Sequence, residues 1–170
     1  MNIFVVDDDP IVVNLLSTIL ASDGFQNVRC FLSATKGLSA LKRDHPPFDC
    51  LILDIDMPDM NGIELCRQAR ELHNYRDVPI IMLTGLRDKA TVQAAVEAGA
   101  TDYITKPFDV LQIGVRIRMS ARLVTAQHAL RDMRNDLRDF ERHPPSATSS
   151  VTRDEMMKLF SDELYRSKKA

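Results

Sequence analysis

Four short apolar runs in this chain each stop at a polar side chain. Ile3-Phe4-Val5-Val6 runs into Asp7-Asp8-Asp9, and Cys50-Leu51-Ile52-Leu53 runs into Asp54. Ile80-Ile81-Met82-Leu83 ends at Thr84-Gly85, and Tyr103-Ile104 leads to Lys106-Pro107. Runs this short and this apolar read as buried strands. The stretch 48–53 is almost wholly apolar, as a central parallel strand covered on both faces should be. Carboxylates, a hydroxyl and an ammonium therefore gather at the carboxyl ends of successive strands. In an open α/β sheet that edge is where ligands bind.

Helical signals separate the strands. A strand at 2–6 is followed by Pro10 at a first helical position, with Asp9 as cap. Ile11, Leu15, Leu16, Ile19 and Leu20 are expected to form one helical face, and Gly24 closes it. A strand at 28–31 and a helix near 34–43 come next. After the strand at 48–53, Asn61-Gly62 opens a helix carrying Leu65, Ala69 and Leu72. A strand at 79–83, a helix near 87–98 ending at Gly99, a strand at 101–104 and a helix from about Phe108 complete the pattern. Five strands alternating with five helices predict a doubly wound parallel α/β sheet covered on both faces.

The fifth helix predicts an extension beyond the domain. No Gly or Pro interrupts it between Gly114 and Pro144. Leu123, Leu130 and Leu137 repeat every seven residues, and Ala126, Met133 and Phe140 follow each by three. This a/d stripe predicts a homodimer through a coiled coil; the alternative is an amphipathic helix folded back on its own domain. In a parallel pair Asp136 at g faces Glu141 at e of the other copy, which is repulsive. The expected organisation is a domain at 1–122, a helical extension at 123–143, a polar linker at 144–151 and a short helical tail at 152–170. The tail opens with a capping box, Thr152 with Glu155, and a hydrophobic staple of Val151 and Met156. Met156, Phe160 and Leu164 give it one apolar side. It is too short to be a domain, and docking on its own chain or a partner is expected.

At 170 residues the chain has room for one ordinary domain and this extra helix. Its net charge of -2 implies no broad basic field for nucleic acid. The extended helix carries Arg116, Arg118, Arg122, Arg131, Arg134, Arg138 and Arg142, but acids interleave with the later ones. That pattern reads as a solvated face rather than a DNA surface. Cys30, Cys50 and Cys66 are odd in number and lack metal-ligand spacing, so reduced core thiols in a cytosolic protein are expected. No signal peptide or membrane span is expected.

With strand order 2-1-3-4-5 the first and third strands are neighbours, and Asp7, Asp8 and Asp54 converge. Two carboxylates about 4 Å apart repel by roughly 4 kcal/mol at an effective dielectric near 20. Such a cluster calls for a cation or raised pKa values. Few protein oxygens with room for water suit Mg²⁺. Lys106 can pair with the same oxygens, and the Thr84 hydroxyl can donate to them. A carboxylate is also a competent nucleophile for phosphoryl transfer. Taken singly, each residue has a plain structural reading as a helix cap or turn residue; their coincidence on one edge favours a site.

The sequence closely resembles the receiver domain of bacterial two-component response regulators over about residues 1–122. The resemblance rests on Val5-Val6-Asp7-Asp8-Asp9-Pro10, Asp54-Ile55-Asp56-Met57-Pro58-Asp59-Met60-Asn61-Gly62, Leu83-Thr84-Gly85 and Tyr103-Ile104-Thr105-Lys106-Pro107-Phe108. It implies a flavodoxin-like fold and a signalling module rather than a turnover enzyme. Asp54 would accept a phosphoryl group from a histidine kinase or a histidine phosphotransfer protein. Asp8, Asp54 and the main-chain carbonyl of Asp56 would hold Mg²⁺, with Asp7 reaching it through water. Thr84 and Lys106 would bind the phosphoryl oxygens, and the Lys106-Pro107 bond is expected to be cis. Phosphorylation would draw Thr84 inward, let the ring of Tyr103 follow, and reshape the face formed by the fourth helix, fifth strand and fifth helix.

Two positions depart from the commonest pattern. Gly85 stands where Ala is frequent, and Asp56 adds a negative side chain at the pocket mouth. No output domain is recognisable, so signalling through protein contacts or a place at the front of a longer regulator is expected. Residues 153–161 bear a slight resemblance to the segment that opens diguanylate cyclase domains, without its usual Thr, Gly and Asn. A haloacid-dehalogenase-type phosphatase fits Asp54-Ile55-Asp56 but requires its acidic pair after the lysine, whereas Asp7-Asp8 come first.

Overall fold

A computed structural model describes residues 1–43, 46–85 and 89–142. The linker at 144–151 and the capped tail at 152–170 lie outside the described residues. Five strands, β1 (Asn2–Val6), β2 (Asn27–Phe31), β3 (Cys50–Asp54), β4 (Ile80–Thr84) and β5 (Asp102–Thr105), form one parallel sheet in the order β2-β1-β3-β4-β5. The expected doubly wound topology is therefore present. The helices are α1 (Pro10–Ser22), α2 (Ala34–Arg43), α3 (Gly62–Glu71), α4 (Lys89–Glu97) and α5 (Val110–Arg142), with a 3-10 turn at His73–Tyr75.

Strand side chains alternate between the two faces of the sheet, and that alternation splits the core in two. Phe4, Val6, Leu51, Leu53 and Met82 pack with Leu38, Leu65, Ala69 and Ala95 of α2, α3 and α4. Ile3, Val5, Ile52, Ile81 and Leu83 pack with Leu16, Ile19, Leu20, Ile113 and Ile117 of α1 and α5. β3 and β4 are buried throughout, which explains their unbroken apolar sequences. The register pairs Val6 with Leu53 and Thr84 with Thr105. The residues just after β1 and at the end of β3 therefore come level at one edge.

One sequence expectation is corrected. The buried face of α1 is Val13, Leu16, Ile19 and Leu20, while Ile11 is 75% exposed and Leu15 is 42% exposed. At about 100° per residue, Ile11 lies roughly 140° around the helix from Leu16. It cannot share a face with the residues that meet the sheet. The glycine stops behave as expected: Gly24 and Gly99 follow α1 and α4 with φ of +87° and +97°.

The amino edge of the sheet is tied by Arg70 of α3. Its Nε and Nη2 donate to the Gly99 carbonyl at 2.9 and 2.7 Å, and Nη1 donates to the carbonyls of Tyr75 and Val78. One guanidinium thus joins α3, the loop before β4 and the end of α4.

The chain divides into two compact units, Met1–His128 and Ala129–Ala170. In the first, α5 buries Ile113, Ile117 and Val124. The described part of the second is helical to Arg142 and exposes Leu130, Met133 and Leu137. The Phe140 side chain lies outside the described residues. Among the described residues, no helix is long and apolar enough to cross a membrane. Cys30, Cys50 and Cys66 are free thiols, the last two buried.

Candidate functional site

The carboxyl edge of β1 and β3 places Asp7 and Asp54 side by side, both nearly without solvent contact. Each oxygen of Asp7 is engaged. Oδ1 accepts the Asp9 N–H at 2.9 Å and Oδ2 accepts from Lys106 Nζ at 2.7 Å. Asp9 in turn caps α1 by accepting the Ile11 N–H at 2.8 Å, as expected. Asp8 between them is exposed. Asp7, Asp8 and Asp54 each offer a carboxylate oxygen, and the three oxygens lie within 4.8 Å of one another.

Lys106 Nζ also lies 2.6 Å from Asp54 Oδ1. That separation is an ion pair, but Oδ1 gains no aligned hydrogen-bond donor from it. The attraction survives because Coulomb energy depends on distance rather than angle. Burial pushes the Asp54 carboxyl above its ordinary value. The lysine contact pulls it down, while the charges of Asp7 and Asp56 add to the rise. Burial disfavours the Lys106 ammonium, but its contacts with Asp54 and Asp7 outweigh that and leave its pKa raised. The lysine is delivered by the loop after β5, whose Lys106 N–H donates to the Thr84 carbonyl at 2.7 Å and whose Lys106-Pro107 bond is cis.

Thr84, the last residue of β4, is buried beside Asp54, since Asp54 pairs with Leu83 in the register. Tyr103 on β5 is 42% exposed. Next to it, Asp102 takes both oxygens to Arg116 of α5 at 2.9 and 2.6 Å. The side chain of Asp56 is exposed.

Gly62 lets α3 start against the end of β3. A Cβ there would sit 1.8 Å from the Asp54 carbonyl oxygen. The Gly62 N–H instead donates to the Ile55 carbonyl at 3.0 Å, and Asn61 caps α3 by accepting the Ile63 N–H at 2.8 Å. The loop between them carries a feature that sequence reasoning missed. Asp59 accepts from Ser33 Oγ at 2.7 Å, from the Ala34 N–H at 3.3 Å and from the Thr35 N–H at 2.9 Å. No local pattern signals this, because its partners stand some 25 residues earlier in the chain.

The donor set fits a hard divalent cation. Two buried carboxylates and one exposed carboxylate leave room for water, which Mg²⁺ keeps around itself. Three clustered carboxylates share the one Lys106 ammonium, which leaves an excess of negative charge that a cation offsets. Asp7, with both oxygens already engaged, is suited to a contact through water.

Comparison with known proteins agrees with this geometry. The family model for the response regulator receiver domain matches residues 3–118. The response regulator protein TodT of Pseudomonas putida is 37% identical over 127 residues, covering 75% of this chain and 54% of its own length. The chain therefore spans about half the length of the curated relatives it matches. The BeF3-activated receiver domain of DrrB, a Thermotoga maritima OmpR/PhoB homologue, superposes with a TM-score of 0.63 at 33% identity, covering 71% of this chain and 97% of that one. The receiver domain of the sensor histidine kinase PA1611 from Pseudomonas aeruginosa PAO1 has a TM-score of 0.63 at 26% identity, covering 73% and 97%; it was solved with a magnesium ion coordinated in its active-site cleft.

Proposed function

Because the chain belongs to the response regulator receiver domain family, a family of phosphorelay signalling modules rather than turnover enzymes, we propose that Asp54 is its phosphoacceptor. The observation that carries this is Lys106, which bridges Asp54 and Asp7 beside the exposed carboxylate of Asp8. The donor is a phosphohistidine on a histidine kinase or a histidine phosphotransfer protein. An Asp54 oxygen attacks phosphorus and forms the P–O bond. The P–N bond breaks, its electron pair returns to the imidazole, and that nitrogen takes a proton from solvent.

Asp8, Asp54 and the main-chain carbonyl of Asp56 would hold Mg²⁺, with Asp7 reaching it through water, and the ion would supply positive charge against the clustered carboxylates and the phosphoryl oxygens. Lys106 follows the new charge as a point cation. Thr84 donates its hydroxyl to a phosphoryl oxygen and moves toward Asp54. Tyr103 then turns toward the space that Thr84 leaves, and the surface of α4, β5 and α5 is re-formed as a population shift between two states. The exposed Ile11 and Leu15, on the helix that begins three residues after Asp7, offer the phosphodonor an apolar platform.

The organisation we assign is a receiver at 1–122, a helical extension at 123–143, a linker at 144–151 and a tail at 152–170. The extension pairs two copies through Leu123, Ala126, Leu130, Met133 and Leu137. Output passes to a downstream protein or to a domain beyond this chain, in the cytoplasm.

Light scattering with and without Mg²⁺ and beryllofluoride, on the wild type and on Asp54→Ala, tests this reading. A response to beryllofluoride in mass or hydrodynamic radius, absent in Asp54→Ala, is expected. An identical response from both proteins removes Asp54 as the acceptor. Monomers throughout remove the coiled-coil pair.

A further inference from the structure

The first four N–H groups of a helix lack partners within it. In α2 three of them are met from two directions. Ser33, just before the helix, accepts the Lys36 N–H at 3.2 Å in the ordinary local way. The first two, of Ala34 and Thr35, donate instead to the two oxygens of Asp59 at 3.3 and 2.9 Å, and the Ser33 hydroxyl adds a third bond at 2.7 Å. The Thr35 and Ser33 bonds hold the Asp59 carboxyl well below the usual carboxylate range. The positive end of the helix dipole adds to the attraction.

Asp59 stands in the middle of the loop from Ile55 to Asn61. Both ends of that loop are anchored. The Ile55 N–H donates to the Leu83 carbonyl at 2.9 Å, and the Gly62 N–H returns to the Ile55 carbonyl at 3.0 Å. Met57 is buried in the core with Leu65. Asp56 and Pro58 are exposed on either side of it. Between the buried Met57 and the cap of α3, Met60 packs partly buried against the same core, and Asp59 supplies side-chain hydrogen bonds to another element. The same short loop carries the Asp56 carbonyl, one of the ligands proposed for Mg²⁺.

We propose that Asp59 is a positioning residue: by capping α2 from the loop after β3, it fixes the Asp56 carbonyl at the acid pocket and so sets the affinity for the divalent ion. This rests on the Mg²⁺ reading above. A metal ligand on an untethered loop must be ordered at the moment of binding, and that ordering is subtracted from affinity. Groups that orient ligands without touching the metal typically change its affinity by about 10-fold to 100-fold.

Titration calorimetry of Mg²⁺ into the full chain is the test, with a urea melt of each protein. The variants are Asp59→Ala, Asp59→Asn, Ser33→Ala and Asp8→Asn. For Asp59→Ala the Kd for Mg²⁺ should rise about 10-fold. Asp59→Asn keeps the shape and one acceptor, so it should fall between that variant and the wild type. Ser33→Ala removes the local cap and one of the three bonds to Asp59 but leaves those from Ala34 and Thr35, so it should lose stability while its Kd rises clearly less than that of Asp59→Ala. That pairing separates capping from positioning, because both variants weaken the start of α2 and only Asp59→Ala removes every bond from Asp59 to it. If Asp59→Ala and Asp59→Asn bind Mg²⁺ like the wild type while Asp8→Asn does not, Asp59 is a helix cap only and the proposal falls. If Ser33→Ala weakens Mg²⁺ as much as Asp59→Ala does, general loosening is the cause and the proposal falls again. If the wild type itself binds no Mg²⁺, the metal reading fails and takes this one with it.

Discussion

Lys106 holds Asp54 and Asp7 at once, with its Nζ 2.6 Å from one carboxylate and 2.7 Å from the other. A single ammonium thus offsets two charges that the sheet register forces together. Replacing it by Met leaves both carboxylates without their cation. Removing one partner of a fully buried pair costs 3–5 kcal/mol; with the lysine side chain 25% exposed, about 2 kcal/mol is expected here. Urea melts of Lys106→Met in a chelator should show that loss. Added Mg²⁺ should restore part of it, because a ligand that binds only the folded state stabilises it.

The acid titration of the metal-free protein should carry the mark of Asp54. Its folded pKa lies above the ordinary 3.8. Between those two values the folded state binds more protons than the unfolded state, so this group makes stability fall as pH rises through that window. Asp54→Asn removes the slope. The variant should therefore gain on the wild type as pH climbs out of the acid range, and the advantage should close at low pH. Paired urea melts across that range check it, and a constant difference between the two proteins would contradict the assignment.

Two glycines of the motif region should respond in opposite ways to alanine. At Gly62 the added Cβ meets the Asp54 carbonyl oxygen at 1.8 Å, a backbone atom that no rotamer change can move. Overpacking of this kind costs about 3 kcal/mol. Gly62→Ala should also lose beryllofluoride binding, read by fluorine NMR. At Gly85 no atom of the described residues lies within 4 Å of the added carbon, and its φ is not positive. Gly85→Ala should stabilise the protein by about 0.4–1 kcal/mol through the unfolded chain, a rise of about 1–4 °C in Tm.

The thiols should differ in reactivity. Burial, with the charge of Asp49 beside it, pushes Cys50 up to about 12. Burial also raises Cys66, against the pull of Arg70 and Arg67. Iodoacetamide at pH 8 should leave both unmodified in the folded protein while it labels the half-buried Cys30 slowly. Mass spectrometry of native and urea-denatured samples gives the count: one adduct at most in the first, three in the second.

The carboxyl edge was legible in the sequence because buried parallel strands leave unbroken apolar runs, and each run announced the polar residue at its end. The face of α1 was less legible. Apolar residues at 11, 12, 13, 15, 16, 19 and 20 cover more than half of the helix, so periodicity alone could not say which of them meet the sheet. The Asp59 cap was invisible for a different reason. A carboxylate in a loop carries no mark of a helix start that lies some 25 residues away in sequence and close only after β1, β3 and α2 have packed. The pairing of Lys106 with both Asp7 and Asp54 was foreseen as a type of contact; the two distances depend on the register of three strands.

Arg70 gives the opposite edge of the sheet a mechanical meaning. Its bonds to the Gly99 carbonyl seize α4 at its last turn, and a side chain on Gly99 would press against Arg70 itself at 3.0 Å. Pinned there, α4 is a rod of nine residues, about 13 Å long at 1.5 Å per residue. A tilt of about 10° carries its far end, Lys89, through roughly 2 Å while the fulcrum stays still. In the switch proposed for Thr84, an event too small to disturb the core would in this way be magnified into a displacement that a neighbouring molecule can feel.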